Sequence, residues 1–301
     1  MTGSVKSLAV AGAAAIAIVG TAGVVNAQSM GDVLIGEGTF PESITATPDG
    51  GFISGSLASP NVYRYSPGDE SASVWATIGG TSLGVFAAGD TAYVCQINPA
   101  TFGEGTLLTF DLASGDQTGS YPFPNSGLCN DIAVGPDGTV FVTDTGSFSG
   151  RGGGVFALVD GELVSVFESE DVAGADGLAF IGDTLYVNDV NTGAIWAVEL
   201  DGATMTGMTQ LELSRELMSP DGMRAAADGS GMYVAENSAG RVSFVTADGT
   251  VETVGEGEWE SVTGVAEVGD TIYVIDTKFS MLGDPEATPG PFYAIAITGG
   301  M

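Results

Sequence analysis

Asp176-Gly-Leu-Ala-Phe-Ile-Gly-Asp-Thr-Leu-Tyr-Val187 reads as an apolar strand, a tight Gly-Asp turn, and a second strand in which an aromatic precedes a branched residue. Gly supplies positive φ at a turn and Asp bonds nearby backbone, while branched and aromatic residues suit a half-buried strand. The same phrase recurs, beginning at Glu42, Leu83, Asn130, Asp221 and Thr263, so that six copies start 41, 47, 46, 45 and 42 residues apart. A period of about 45 residues holds four short strands, the size of one propeller blade.

The remainder of each unit agrees. Third strands are predicted at 61–65, 105–112, 154–159, 193–200, 240–246 and 291–297, and fourth strands near 72–78, 117–122, 163–168, 206–213 and 250–254. The sixth copy ends without a fourth strand, and residues 32–36, just ahead of the first copy, can supply it. Such a splice pairs the two ends of the chain and removes an exposed sheet edge. The expected fold is therefore all-β: a six-bladed β-propeller of four-stranded antiparallel blades over residues 28–301, with an N-terminal strand closing the last blade.

Residues 1–27 carry one cation, Lys6, then an apolar run and the small-residue end Val25-Asn26-Ala27. This reads as a cleavable bacterial signal peptide, which places the mature protein in the periplasm or outside the cell; a retained anchor is the alternative. With 38 acidic against 7 basic residues the formal net charge is −31. Such a field repels phosphate backbones and anionic lipids and concentrates cations, so neither nucleic acid nor a membrane is an expected partner. Apolar residues make up 44% of the chain and charged ones 15%, enough to bury a core. A monomer is expected.

Histidine is absent, which removes Ser-His-Asp and Cys-His chemistry and His-ligated zinc. Catalysis would have to use carboxylates or a metal. The first residue of each phrase enters the innermost strand, so Glu42, Leu83, Asn130, Asp176, Asp221 and Thr263 should ring one mouth of the channel. Glu42, Asn130, Asp176 and Asp221 offer oxygen ligands there. Three carboxylates converging need protons or a cation between them, and an oxygen-only set favours a hard ion, Ca²⁺ or Mg²⁺. Acids that merely cap strands are the alternative. A second ring, Gln96, Asp144, Asp189, Glu236 and Asp276, with Gly55 in the first copy, ends the return strands; these residues orient ligands or line the pocket, or else are solvated strand ends. Asp49, Asp137, Asp183, Asp228 and Asp270 belong to turns.

With these residues in place, the chain resembles the SMP-30, gluconolactonase and luciferin-regenerating-enzyme family across nearly all of residues 32–300. Glu42 in Pro-Glu-Ser, the pair Asn130-Asp131, Asp176-Gly-Leu and Ser219-Pro220-Asp221-Gly222-Met223 carry the likeness. It implies one catalytic divalent cation, Ca²⁺ by expectation with Mg²⁺, Mn²⁺ or Zn²⁺ as alternatives, held by Glu42, Asn130, Asp176 and Asp221. It also implies that Asp221 is the general base or nucleophile, with Asn130 positioning substrate. Two departures stand out. Leu128 sits where the family's gluconolactonases have arginine, and Asp176 stands in place of an asparagine.

Cys95 ends the return strand of the second copy and Cys129 precedes Asn130, so both should lie at the metal face, as a disulfide or as two buried thiols. The implied function is a metal-dependent hydrolase acting on a small lactone or related ester. The alternative is a non-enzymatic envelope propeller with a structural metal that binds a ligand or protein partner.

Overall fold

The computed structural model describes residues 1, 31–146 and 152–297. Apart from Met1, the expected signal segment lies outside the described residues. Six four-stranded antiparallel sheets follow one another around a closed ring. Their innermost strands are Ile44–Ala46, Thr81–Ala88, Cys129–Val134, Ala175–Ile181, Pro220–Ala225 and Val262–Val268, and we number the blades one to six accordingly. The strands expected from the repeat are found within a few residues of their anticipated bounds.

Blade six is the splice. Its order is Val33–Glu37, Pro291–Ile297, Thr271–Asp276, Val262–Val268, with Val33 opposite Ala294 and Leu34 opposite Tyr293. The closing strand runs one residue later than 32–36, and Asp32 instead accepts a hydrogen bond from the Ala296 N–H at 2.9 Å. Val33 and Ile35 point into the core, 5% and 2% exposed, so closure buries apolar surface as well as pairing an edge.

Blades pack face to face through the aromatic residues of the phrase. Phe52 of blade one meets Tyr273 of blade six at 5.5 Å, and Phe141 of blade three meets Phe180 of blade four at 5.3 Å. Phe52, Phe141 and Tyr273 are fully buried, and each contributes about 1.5–3 kcal/mol by leaving water. Near the axis the strands crowd, which is why the second residue of the phrase is usually glycine. A Cβ at Gly177 would lie 2.4 Å from the Asp221 carbonyl oxygen, a distance no side chain tolerates.

In five blades the innermost strand is bulged at the start of the phrase. Register slips between Ser82 and Val85, Cys129 and Ile132, Ala175 and Leu178, Pro220 and Met223, and Val262 and Gly264. A bulge takes residues out of the ladder and re-aims their side chains. Here it frees Leu83, Asn130, Asp176, Asp221 and Thr263, the ring positions; Glu42 lies just ahead of its strand and needs no bulge.

Candidate functional site

Four of the six ring positions, Glu42, Asn130, Asp176 and Asp221, line one cavity of about 240 Å³ at a mouth of the channel, as the shared register requires. Leu83 lines it too; Thr263 instead shares a buried hydrogen bond with Thr277 at 2.5 Å. The floor is polar and buried: Glu42, Asn130, Asp176 and Asp221 are each 4–7% exposed. Above it stand Leu57, Phe102, Val190 and Phe279, with Ser219 and Asn237 at the side.

The hydrogen bonds fix these side chains one blade to the next. The Asn130 amide donates to Asp176 Oδ2 at 2.8 Å and to Thr145 Oγ1 at 2.7 Å, which uses both its N–H bonds and leaves its carbonyl oxygen as the atom to offer a cation. Thr143 Oγ1 donates to the Asp176 backbone carbonyl and Asn188 Nδ2 to that of Asp221, both at 2.6 Å. Asp221 Oδ2 accepts from Asn237 Nδ2, and Oδ1 accepts from the Gly222 N–H, each at 3.0 Å. Two carboxylate oxygens lack any such partner: Glu42 Oε2 and Asp176 Oδ1 are buried without a hydrogen bond.

Electrostatics follow from that burial. Glu42 is driven well above the usual carboxylate range by loss of water and then by the charges of Asp221 and Asp131, against a partial pull from Arg224. Asp176 is raised likewise, by burial, then by Asp221, Glu42 and Asp131. Burial also raises Asp221, but the hydrogen bonds from Asn237 and Gly222 hold it to about 7. Such a site favours protons or a cation. Among the described residues, no three Asp, Glu or Cys side chains are already drawn together at metal-holding spacing. The donor set nevertheless fits a hard cation: two orphaned carboxylate oxygens and an amide carbonyl beside a further carboxylate, all oxygen.

Beneath the floor lies a group the repeat alone did not single out. Arg224, on the innermost strand of blade five, donates to Asp131 Oδ2 at 2.7 Å, to Ser43 Oγ at 3.0 Å, and to the carbonyls of Met223 and Val85. Its guanidinium lies 5.5 Å from the Phe86 ring centroid. This plug separates the acidic cavity from a second one of about 250 Å³ at the far ends of the same strands, which Arg224, Phe86 and Phe180 line. The signal was present in the sequence: Asp131 occupies a position that is glycine in four copies, and Arg224 one that is alanine in three.

The second ring does not orient the floor side chains, and its four acids are buried, while Gln96 is half-buried. Each member ties down the loop that enters its own innermost strand. Gln96 accepts from the Gly79 N–H, Asp144 from Leu128, Asp189 from Gly174, Glu236 from Met218 and Asp276 from Ser261, at 2.8–3.1 Å. None lines the acidic cavity. Glu236 is the most heavily bonded, receiving Arg215 and Arg241 at 2.8 Å and Ser243 besides. Burial alone would raise its carboxyl; these donors override that and lower it to about 2. Among the turn acids, Asp137 and Asp228 accept backbone bonds from Thr139 and Ser230, as turns require. Cys95 and Cys129 form a disulfide, both fully buried, one residue from Asn130.

A closed six-bladed ring with an acid-floored cavity at one mouth of its channel defines the class, a six-bladed β-propeller with an axial cavity. More narrowly, the chain belongs to the SMP-30/gluconolactonase/LRE-like region family, which it matches over residues 40–274. No curated protein matches the sequence. Among solved structures it is similar to a calcium-binding protein, regucalcin, from Agrobacterium tumefaciens strain C58, at 17% identity over 89% of this chain and 92% of that one, TM-score 0.63. It is similar to a luciferin-regenerating enzyme at 19% identity over 90% and 93%, TM-score 0.65. A gluconolactonase from Xanthomonas campestris shares 16% identity over 88% and 89%, TM-score 0.65. At such identities these likenesses speak for the fold.

Proposed function

We propose that the protein is a metal-dependent hydrolase of a lactone or related ester, with Glu42, Asn130, Asp176 and Asp221 holding one divalent cation. The observation that supports this most is the pair of buried, unbonded oxygens Glu42 Oε2 and Asp176 Oδ1 on the floor of a cavity that no Lys or Arg of the described chain lines. Leaving such groups unpaired costs free energy unless a cation or proton answers them. The oxygen-only set favours Ca²⁺, with Mg²⁺, Mn²⁺ and Zn²⁺ as the other ions to test. Bound there, a divalent cation would polarise the substrate carbonyl and stabilise the charge its oxygen gathers.

The chain's own residues supply the rest. Asp221, oriented by Asn237 and the Gly222 N–H, takes a proton from the attacking water. The new C–O bond forms at the carbonyl carbon, the ring or ester C–O bond breaks, and the departing alkoxide recovers a proton to give the hydroxy acid or the alcohol and acid. Asn130, its amide locked by Thr145 and Asp176, holds a fixed carbonyl oxygen toward the floor. The apolar rim of Leu57, Phe102, Val190 and Phe279 limits water at the reacting carbon. The buried Cys95–Cys129 disulfide supports an oxidising, extracytoplasmic setting for the mature chain, which we take to be a monomer.

The test is a panel of lactones and simple esters with the Ca²⁺-loaded protein, repeated after chelation and with Asp221→Ala. Turnover that disappears in both is expected. A chelator that lowers thermal stability while no substrate turns over would instead mark the ion as structural and the protein as a binding propeller.

A further inference from the structure

Resting on the hydrolase reading, we infer that the substrate is uncharged, small, and carries an apolar substituent: a lactone or ester with a short alkyl or aryl group rather than a polyol or an anion. The walls of the acidic cavity are Leu57, Leu83, Phe102, Val190 and Phe279. Phe102 and Phe279 are the two phenylalanines that the described surface leaves exposed, at 43% and 39%, and both stand at this one mouth. Large apolar side chains at the rim of a concave site mark what the site receives.

Charge points the same way. No Lys or Arg of the described chain lines the cavity. Arg224 is committed below the floor, and Lys278, next to Phe279, places its ammonium 5.5 Å from the Phe292 ring centroid. A carboxylate or phosphate on the substrate would find no basic side chain and would approach Glu42, Asp176 and Asp221. Hydroxyl groups fare little better. The polar wall residues are Ser219 and Asn237, and each is partly committed: Ser238 Oγ donates to Ser219 Oγ at 2.9 Å, and Asn237 Nδ2 donates to Asp221. Along the walls a polyol would surrender its water to leucine and phenylalanine with few replacement bonds. At about 240 Å³ the space falls below the range usual for drug-sized ligands, so one ring with a short substituent fills it.

The experiment compares kcat/KM of the Ca²⁺-loaded protein for unsubstituted δ-valerolactone, δ-lactones of lengthening alkyl chain, and glucono-δ-lactone. Rates should rise about fourfold per methylene over the first few carbons, with glucono-δ-lactone at least roughly tenfold below the unsubstituted ring. In Phe102→Ser and Phe279→Ser, the ratio of long-chain to unsubstituted kcat/KM should fall by about fivefold or more. A flat or falling dependence on chain length, or a preference for glucono-δ-lactone, overturns the inference while the hydrolase reading stands. Failure of every lactone sinks the hydrolase reading instead, and calorimetry with δ-lactams then decides the pocket's preference. Tighter binding of alkyl-substituted than of unsubstituted lactam upholds the apolar wall; equal or absent binding removes it.

Discussion

Arg224 Nη1 and Asp131 Oδ2 meet at 2.7 Å in the middle of the channel, joining blade five to blade three, with side chains only 8% and 4% exposed. A buried pair of this kind is costly to break from one side, because the survivor keeps its charge without its partner. Arg224→Met should therefore lower unfolding stability by about 3–5 kcal/mol, measured by urea denaturation. Adding Asp131→Gly, the residue four sister copies carry, should recover part of that loss. A double variant as unstable as the sum of the two single ones would remove the coupling.

Cation binding and intrinsic stability should move in opposite directions on the cavity floor. Glu42→Gln and Asp176→Asn each replace a buried carboxylate that has an unbonded oxygen. Without added ion, both variants should be at least as stable as the parent, since a repulsive buried charge is gone. Calcium at about 100 times its Kd should stabilise the parent by about 2.7 kcal/mol, and the variants should need roughly tenfold more ion for the same gain. Titration calorimetry with thermal melts reads both quantities, and variants that bind the ion as tightly as the parent would falsify the ligand assignment.

Glu236, which does not itself line the cavity, gives a separate pH signature. Its carboxyl titrates near 2 in the folded protein, below its ordinary value of 4.5, so the unfolded chain takes up the proton first. The associated stability is complete above the ordinary value and drains away as pH falls from about 4.5 toward 2. Glu236→Gln should lower Tm at neutral pH, and the gap to the parent should narrow across that window. A gap that stays constant with pH would show that the two arginines are not what hold the carboxylate ionised.

The Cys95–Cys129 bridge spans 34 residues of sequence, from blade two to the strand that carries Asn130. In the chain-entropy picture a loop of that size contributes on the order of 3–4 kcal/mol. Cys95→Ala with Cys129→Ala should cost about that much in denaturant titrations. The unreduced protein should yield no free thiol even when unfolded, and because both sulfurs are buried, native protein should resist mild reductant.

The ring of Glu42, Asn130, Asp176 and Asp221 was readable beforehand because a repeat places equivalent residues at equivalent radii, and one shared phrase sets their register. What the phrase could not show was how they escape the strand ladder. The bulges between Cys129 and Ile132, Ala175 and Leu178, and Pro220 and Met223 are properties of backbone pairing, with no residue code of their own. Asn237 was missed for a related reason: it reaches Asp221 from a short 3₁₀ turn after its strand, a place fixed by tertiary packing. Gln96, Asp144, Asp189, Glu236 and Asp276 were visible as a series, but polarity at a strand end does not distinguish a ligand-facing group from one that accepts a backbone N–H.

The splice in blade six has a consequence for how the chain is made. Val33–Glu37 leaves the ribosome ahead of every blade, yet its partner, Pro291–Ile297, is the last strand of the described residues. The opening segment must wait without its sheet partner, held to blade one only where Leu34 meets Ser71 and the Ala72 N–H, while five sheets assemble behind it. Closure is the pairing of highest sequence separation in the molecule and so the slowest to nucleate. A nascent or truncated chain that stops short of 291 leaves two open edges, at the waiting strand and at Thr271–Asp276, each a template for joining a neighbouring chain.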